Sequence, residues 1–208
     1  MTRFTATFVT FLMLGTAIAL TSPAQGQQSR PGTTGLVSVV IETSAGTIEV
    51  AVDALHAPVT TANFLRQVDA GMYDGGRFHR AVRMDNQVRQ DVKIEVIQAG
   101  RDPERAKTEK GFGAIPLERT SVTGLRHTDG ALSMARGAAD TATSDFFICV
   151  GDQPSLDFGG ARNADGQGFA AFGRVVSGMD LVRKIQSGVT NATEALVAPV
   201  VIRRIARK

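Results

Sequence analysis

Arg80 is the residue of this chain whose chemistry is hardest to explain as mere solubility. It closes the stretch Gly71-Met72-Tyr73-Asp74-Gly75-Gly76-Arg77-Phe78-His79-Arg80 and is followed by Ala81 and Val82. Arginine is almost never buried without a partner. A guanidinium among apolar, strand-like residues therefore points to a recognition task for its planar fork, or else to a structural ion pair. The run Val96-Ile97-Gln98-Ala99-Gly100 follows the Arg80 stretch. Other reactive groups are few: the histidines are His56, His79 and His127, and Cys149 is the single cysteine. No HExxH spacing occurs, and Cys149 lies in Phe146-Phe147-Ile148-Cys149-Val150, where it reads as a small buried hydrophobe. Neither a metal site nor a nucleophilic triad is read. The loop Asn163-Ala164-Asp165-Gly166 lacks the Glu that closes a calcium loop, and its glycines precede no helix that could cradle a phosphate. Asn191-Ala192-Thr193 is a glycosylation sequon, relevant only in a eukaryotic secretory setting.

The elements that must position Arg80 and Gln98 follow from periodicity and punctuation. Val37–Thr43 and Thr47–Val52 alternate about the turn Ser44-Ala45-Gly46, which predicts a β-hairpin. Pro58 opens a helix whose stripe is Val59, Ala62, Leu65 and Val68, widened by Phe64, and Gly71 ends it. Arg83–Asp91 is polar and reads as a surface loop, after which Val92–Gln98 is expected as a strand. Asp102–Thr108 suggests a short helical turn. Ala114–Glu118, Ala131–Ala135 and Ser144–Val150 are expected as further strands, and Asp157–Gly168 as a glycine-rich loop. Phe169–Val175 is a strand, Met179, Val182 and Ile185 mark a second helix closed by Gly188, and Val200–Ile205 is a terminal strand. Roughly eight short strands and two widely separated helices argue for a mainly β, antiparallel barrel or sandwich, with helices over its open ends.

The 208 residues and ordinary apolar share suit one domain with a sizeable core. The formal charge of +3 is spread without a basic run, which argues against nucleic acid as a partner. At the N-terminus, Arg3 followed by the apolar run Phe8–Leu20 and small residues at Ser22, Ala24 and Gly26 reads as a secretory signal over residues 1–26. The apolar run is short for a membrane span. Residues 27–36 are a flexible leader and 37–208 the domain. These features predict a mature chain that is periplasmic or secreted, free of the membrane after cleavage, and monomeric. One cysteine permits no internal disulfide.

Seven segments in order, APVTTANF, GMYDGGRFHR, VIQAG, GALSMAR, ATSDFFICV, SLDF and FAAFGRVVSGMDLV, resemble the cyclophilins, the peptidyl-prolyl cis-trans isomerases. They cover about residues 38 to 188. The resemblance implies a closed antiparallel eight-stranded β-barrel capped by two α-helices, with no cofactor and no metal. It implies substrates in proline-containing segments of unfolded or exposed polypeptides, and a role in the folding of exported proteins. By position, Arg80 matches the family's catalytic arginine and Gln98 the glutamine that binds the substrate backbone and steadies it. Phe147 matches the floor of the proline pocket, with Leu156 and Phe169 on its walls. Ala135 and Arg136 match the stretch that pairs with the extended peptide. Rotation about X–Pro breaks amide resonance against a barrier of about 20 kcal/mol, and a donor that meets the prolyl nitrogen in the transition state lowers it without nucleophile or metal.

The chain departs from the family pattern at several positions. Asp145 stands where Gln is usual. The segment between Arg80 and Gln98 is longer by about ten residues, an insertion at 83–93 beside the site. Glu95 takes the place of a second pocket Phe, Val96 that of Met, and Ala99 that of Gly. A carboxylate lining a proline pocket is costly unless hydrated or paired, so weak activity is expected if Glu95 faces inward. Ser155 replaces an aromatic that grips cyclosporin, so poor affinity for that inhibitor is expected. The altered pocket motivates a second reading, a non-catalytic proline-peptide-binding module on the same fold. An unrelated barrel hydrolase would need an activated nucleophile that the sequence does not reveal.

Overall fold

The computed structural model describes residues 1–2 and 35–208, so all but the first two residues of the expected signal at 1–26 and most of the expected leader lie outside the described residues. Strands β1 (Leu36–Thr43) and β2 (Gly46–Asp53) form the expected hairpin, its turn closed by Thr43 Oγ1, which accepts from Ala45 N–H and donates to Gly46 O. Helix α1 (Pro58–Asp69) begins with proline where no intrahelical N–H partner exists. Its open N–H groups at Val59 and Thr60 donate to the carboxylate of Glu118, at 3.0 and 2.7 Å. A distant acidic side chain thus performs the capping that the local sequence does not.

Strands β3 (Arg77–Val82), β4 (Val96–Gly100), β5 (Ala131–Met134), β6 (Phe146–Cys149), β7 (Ala170–Ser177) and β8 (Ala195–Arg207) complete the sheet. Every pairing is antiparallel, and the order β1-β2-β7-β5-β6-β4-β3-β8 closes on itself, resolving the sequence alternatives in favour of the barrel. The interior is filled by the inward residues of alternate positions, among them Ile41, Ile48, Ile97, Leu132 and Ile148. Five aromatic rings, Phe64, Tyr73, Phe78, Phe146 and Phe172, meet there, with Phe64 and Phe146 edge-on at 5.5 Å. Helix α1 contributes Phe64, Leu65 and Val68 to this core. Helix α4 (Met179–Gln186) contributes Leu181, Val182 and Ile185.

Some local expectations are corrected. Ala114–Glu118 is not a strand: only Ile115 bridges, to Ala142, because Pro116 has no N–H and that of Leu117 goes to Asp140 Oδ1. Residues Val92–Glu95 precede β4 rather than belong to it. Ile94 is nonetheless buried in the apolar cluster with Val82, Val96 and Phe147, while its N–H donates to Gln87 Oε1 rather than to a strand. Besides α1 and α4 the described residues form two short α-helices, the expected turn α2 (Pro103–Thr108) and an unforeseen α3 (Thr120–Thr123), and a 3-10 turn at Pro154–Leu156. β8 is longer than expected because its ends serve two different neighbours, β3 and β1.

Candidate active site

On β3 a strict two-residue alternation would send Phe78 and Arg80 to the same face. They part because the register shifts between them: Phe78 pairs with Ala99, yet Arg80 pairs with Gln98. His79 is the extra residue of a β-bulge. Phe78 and Ala81 therefore fill the barrel interior, while Arg80 and Val82 turn outward. Neighbouring strands follow the same rule without a bulge. Ile97 and Ala99 face in, Val96 and Gln98 out; Phe146 and Ile148 face in, Phe147 and Cys149 out. The outward set forms a second, smaller apolar cluster with Leu156, Phe169 and Ala135 on the outer wall of the barrel.

That wall carries a cavity of about 290 Å³. Eight of the nine expected site residues line it: Arg80, Gln98, Val96, Phe147, Leu156, Phe169, Ala135 and Arg136. Phe147 and Phe169 meet edge to face at 5.4 Å, making two walls of an apolar corner. Arg136 lies over Phe169 at 5.2 Å and grips Asp165 with both terminal nitrogens, at 2.8 and 3.0 Å. Asp145 is the exception. It stands behind the pocket, where its Oδ2 accepts from Gln98 Nε2 at 3.3 Å and faces His79 Nε2 at 3.8 Å. Glu95 does not line the cavity either; Ile94 supplies that wall, so the feared carboxylate is replaced by an aliphatic side chain.

Arg80 is held on two sides. Its Nη1 donates to Gln98 Oε1 at 3.0 Å, and its Nε donates to Glu194 Oε2 at 2.9 Å, with Nη2 directed to the same oxygen. Glu194 is buried, its side chain only 4% exposed, and its backbone is left-handed at φ 65°. For a residue with a Cβ that conformation costs about 1–2 kcal/mol. The turn that imposes it is organised by Asn191 of the sequon, whose Oδ1 accepts from Thr193 N–H, Thr193 Oγ1 and Ala195 N–H. The insertion 83–93 packs against the same carboxylate: Val88 N–H donates to Glu194 Oε1 at 3.0 Å. It is also tied to the loop after β6, since Arg89 donates to the carbonyls of Ala161 and Arg162 and Arg162 donates back to Val92 O. Burial first, then repulsion from Arg80 and Arg89, lowers the pKa of Arg162 against the opposing pull of Glu194 and Asp91.

Beneath the floor lies an arrangement that the sequence reading missed. His127 Nδ1 meets Asp157 Oδ1 at 2.8 Å and its Nε2 meets Ser133 Oγ at 2.9 Å, with all three residues buried. The order of groups resembles a hydrolytic triad, but Ser133 is sealed under Phe147 and no substrate carbonyl reaches it. Its role is support: the imidazole stacks on the Phe147 ring. Glu194 and Arg162 were also missed, for neither lies in a motif. Among the described residues no group of three or more His, Cys, Asp and Glu could hold a metal ion. A larger hollow of about 620 Å³ beside α1 has its charges already engaged, Arg207 with Asp69 and Arg66 over Phe112.

Comparisons with known proteins agree on what this arrangement is similar to. The family model described as "Cyclophilin type peptidyl-prolyl cis-trans isomerase/CLD" matches residues 38–207. Peptidyl-prolyl cis-trans isomerase A of Dickeya dadantii is 37% identical over 148 residues, covering 71% of this chain and 70% of that protein. Peptidyl-prolyl cis-trans isomerase cyp18 of Streptomyces antibioticus is 33% identical over 170 residues, covering 79% of this chain and 95% of that protein. A cyclophilin type peptidyl-prolyl cis-trans isomerase of Cryptosporidium parvum has a crystal structure that matches with a TM-score of 0.67 at 19% identity, over 83% of this chain and 98% of that one. Its structure in the presence of the dipeptide Ala-Pro matches with a TM-score of 0.65 at 20% identity, over 82% and 98% of the two chains. At such identity the two structures speak for the fold.

Proposed function

This chain belongs to the cyclophilin-type peptidyl-prolyl cis-trans isomerases and is an enzyme of that class, and from that premise we propose that Arg80 is its electrostatic catalyst. The observation that carries the reading is that Arg80, hydrogen-bonded to Gln98, lines the same cavity as the apolar corner made by Phe147, Leu156 and Phe169. The corner takes the proline ring, and Val96 and Ile94 keep it dry. Gln98, paired across the sheet from Arg80, anchors the substrate backbone and holds the guanidinium. The backbone at Ala135 and Arg136 receives the extended segment before the proline. As the C–N bond twists, the prolyl nitrogen loses resonance and gains a lone pair. An N–H of Arg80 stabilises that lone pair and does nothing for the planar ground state, which is the condition for catalysis.

The same reading gives the mature chain a role outside the cytoplasm, acting on X–Pro bonds of exported polypeptides as a monomer. The basic start, the apolar run Phe8–Leu20 and the small residues after it support that role.

The test is the cis-to-trans rate of a Xaa-Pro peptide with the parent and with folded Arg80→Ala. Loss of one preorganised donor is expected to lower kcat about 100-fold or more. A folded Arg80→Ala variant that retained the parent's rate would sink the assignment. Processing of the leader and location outside the cytoplasm are checked by fractionation and N-terminal sequencing of the mature chain.

A further inference from the structure

Glu194 joins two parts of the molecule that are far apart in sequence. Its Oε2 receives Nε and Nη2 of Arg80, and its Oε1 receives the N–H of Val88 in the insertion 83–93. The carboxylate is buried, and the residue keeps a left-handed backbone that side chains with a Cβ seldom adopt. A buried charge on a strained residue persists where the surroundings hold it there for a task.

A guanidinium has five N–H groups. Glu194 engages one on Nε and one on Nη2, and Gln98 engages one on Nη1. One N–H remains on each terminal nitrogen, both on the fork that lines the cavity. With Glu194 in place, the fork has a single orientation. Without it, Gln98 alone would leave the guanidinium free to rotate about its Nη1 contact.

We infer that Glu194 is the positioning residue for Arg80, and that through Val88 it makes the 83–93 insertion a working part of the site. This rests on the reading of Arg80 as the donor to the prolyl nitrogen. It also gives the insertion a task beyond being a tolerated surface loop: the loop supplies the backbone donor that fixes the second oxygen of the carboxylate.

The experiment is a double-mutant cycle in the peptide isomerisation assay with a direct view of the arginine. Glu194→Ala is expected to lower kcat about tenfold, with KM changed by less than about twofold, and Glu194→Gln, which keeps one acceptor, should fall between. In the Arg80→Ala background, Glu194→Ala should cost nothing more. A loss that persists there would mean a general structural role and would overturn the inference. Val88→Pro, which removes the N–H at an exposed position, should lower kcat about threefold. An unchanged rate would remove the insertion from the site. The Arg80 Nε–H resonance, identified by its absence from Arg80→Lys, should be protected from exchange in the parent and not in Glu194→Ala. If Arg80→Ala keeps its activity, the reading of the arginine itself fails. If Arg80→Ala is inactive while Glu194→Ala keeps full kcat and a protected Nε–H, the arginine stands and the positioning role of Glu194 falls.

Discussion

The imidazole of His127 lies beneath the ring of Phe147, centroids 5.9 Å apart and planes 15° from parallel. Phe147 is thus a pocket floor with its own foundation, because His127 is fixed at both nitrogens, by Asp157 and by Ser133. An ionised Asp157 can only accept, so Nδ1 carries a proton, which leaves Nε2 to meet the Ser133 hydroxyl. Replacing His127 by Ala leaves a cavity under Phe147 and strips Ser133 and Asp157 of buried partners. The expected loss is about 2–4 kcal/mol, seen as a lower urea midpoint at unchanged slope, together with a raised KM for proline peptides. A variant with parental KM would mean that the floor does not need its support.

Acid should unfold the domain through a few carboxylates. Burial pushes the Asp157 carboxyl up, but hydrogen bonds from the His127 ring and backbone, the charge of His127 and a hydrogen bond from Arg126 outweigh it and hold it below the usual carboxylate range. Asp165 is drawn down to about 2, first by the Arg136 fork and then by the N–H of Gln167. A group whose folded pKa is depressed contributes its stability above the unfolded value of about 4 and loses it as pH falls through the folded value. Thermal midpoints should therefore be nearly flat from pH 7 to about 5 and fall between about pH 4 and 2. Asp157→Asn should start lower at pH 7 and show a shallower acid slope. An acid slope equal to the parent's would show that Asp157 does not report folding.

Cys149 should behave as a reporter of opening. It is fully buried on the outward side of β6, and burial above all, with the charges of Asp157, Asp129 and Asp152, pushes its thiol far up. A thiolate-selective reagent is expected to leave the native chain unmodified for hours and to react at once in denaturant. Rapid labelling of the native enzyme would contradict the packing around the pocket floor.

Arg136 should be sensitive to a change that preserves its charge. Its side chain is 1% exposed, lies on the Phe169 ring and grips Asp165 with a fork that lysine lacks. Arg136→Lys is expected to raise KM about threefold or more while changing kcat little, because it loosens the Phe169 wall without touching Arg80. Equal effects on both constants would place Arg136 closer to the reacting bond than the structure does.

The strands around Arg80, Gln98 and Phe147 were legible from glycine-bounded apolar runs, and Arg80 from its charge among apolar residues. The roles of Gln98 and Phe147 came instead from the resemblance of their segments to the cyclophilins. Gly71 and Pro58 marked the ends of α1 as local punctuation. What stayed hidden depends on contacts across the chain. Glu194 is 114 residues from Arg80, in a turn with no apolar pattern to announce it. Glu118 capping α1 is invisible for the same reason. His127, Ser133 and Asp157 come from three segments that only the barrel brings together. Whether Glu95 faced inward could not be read because the longer segment before it leaves its match to the family pattern open; Ile94 lines the cavity instead.

The bulge at His79 makes the number of residues in β3 as consequential as their identity. Arg80 faces the pocket because one extra residue separates it from Phe78, so its orientation is a matter of parity. Exchanging His79 for another side chain leaves the count unchanged. Deleting it asks the strand either to carry the arginine into the barrel, against the aromatic core, or to slip its whole pairing with β4 by one position. A survey of substitutions would rank position 79 among the replaceable ones, whereas a survey of deletions would rank it among those the enzyme cannot lose.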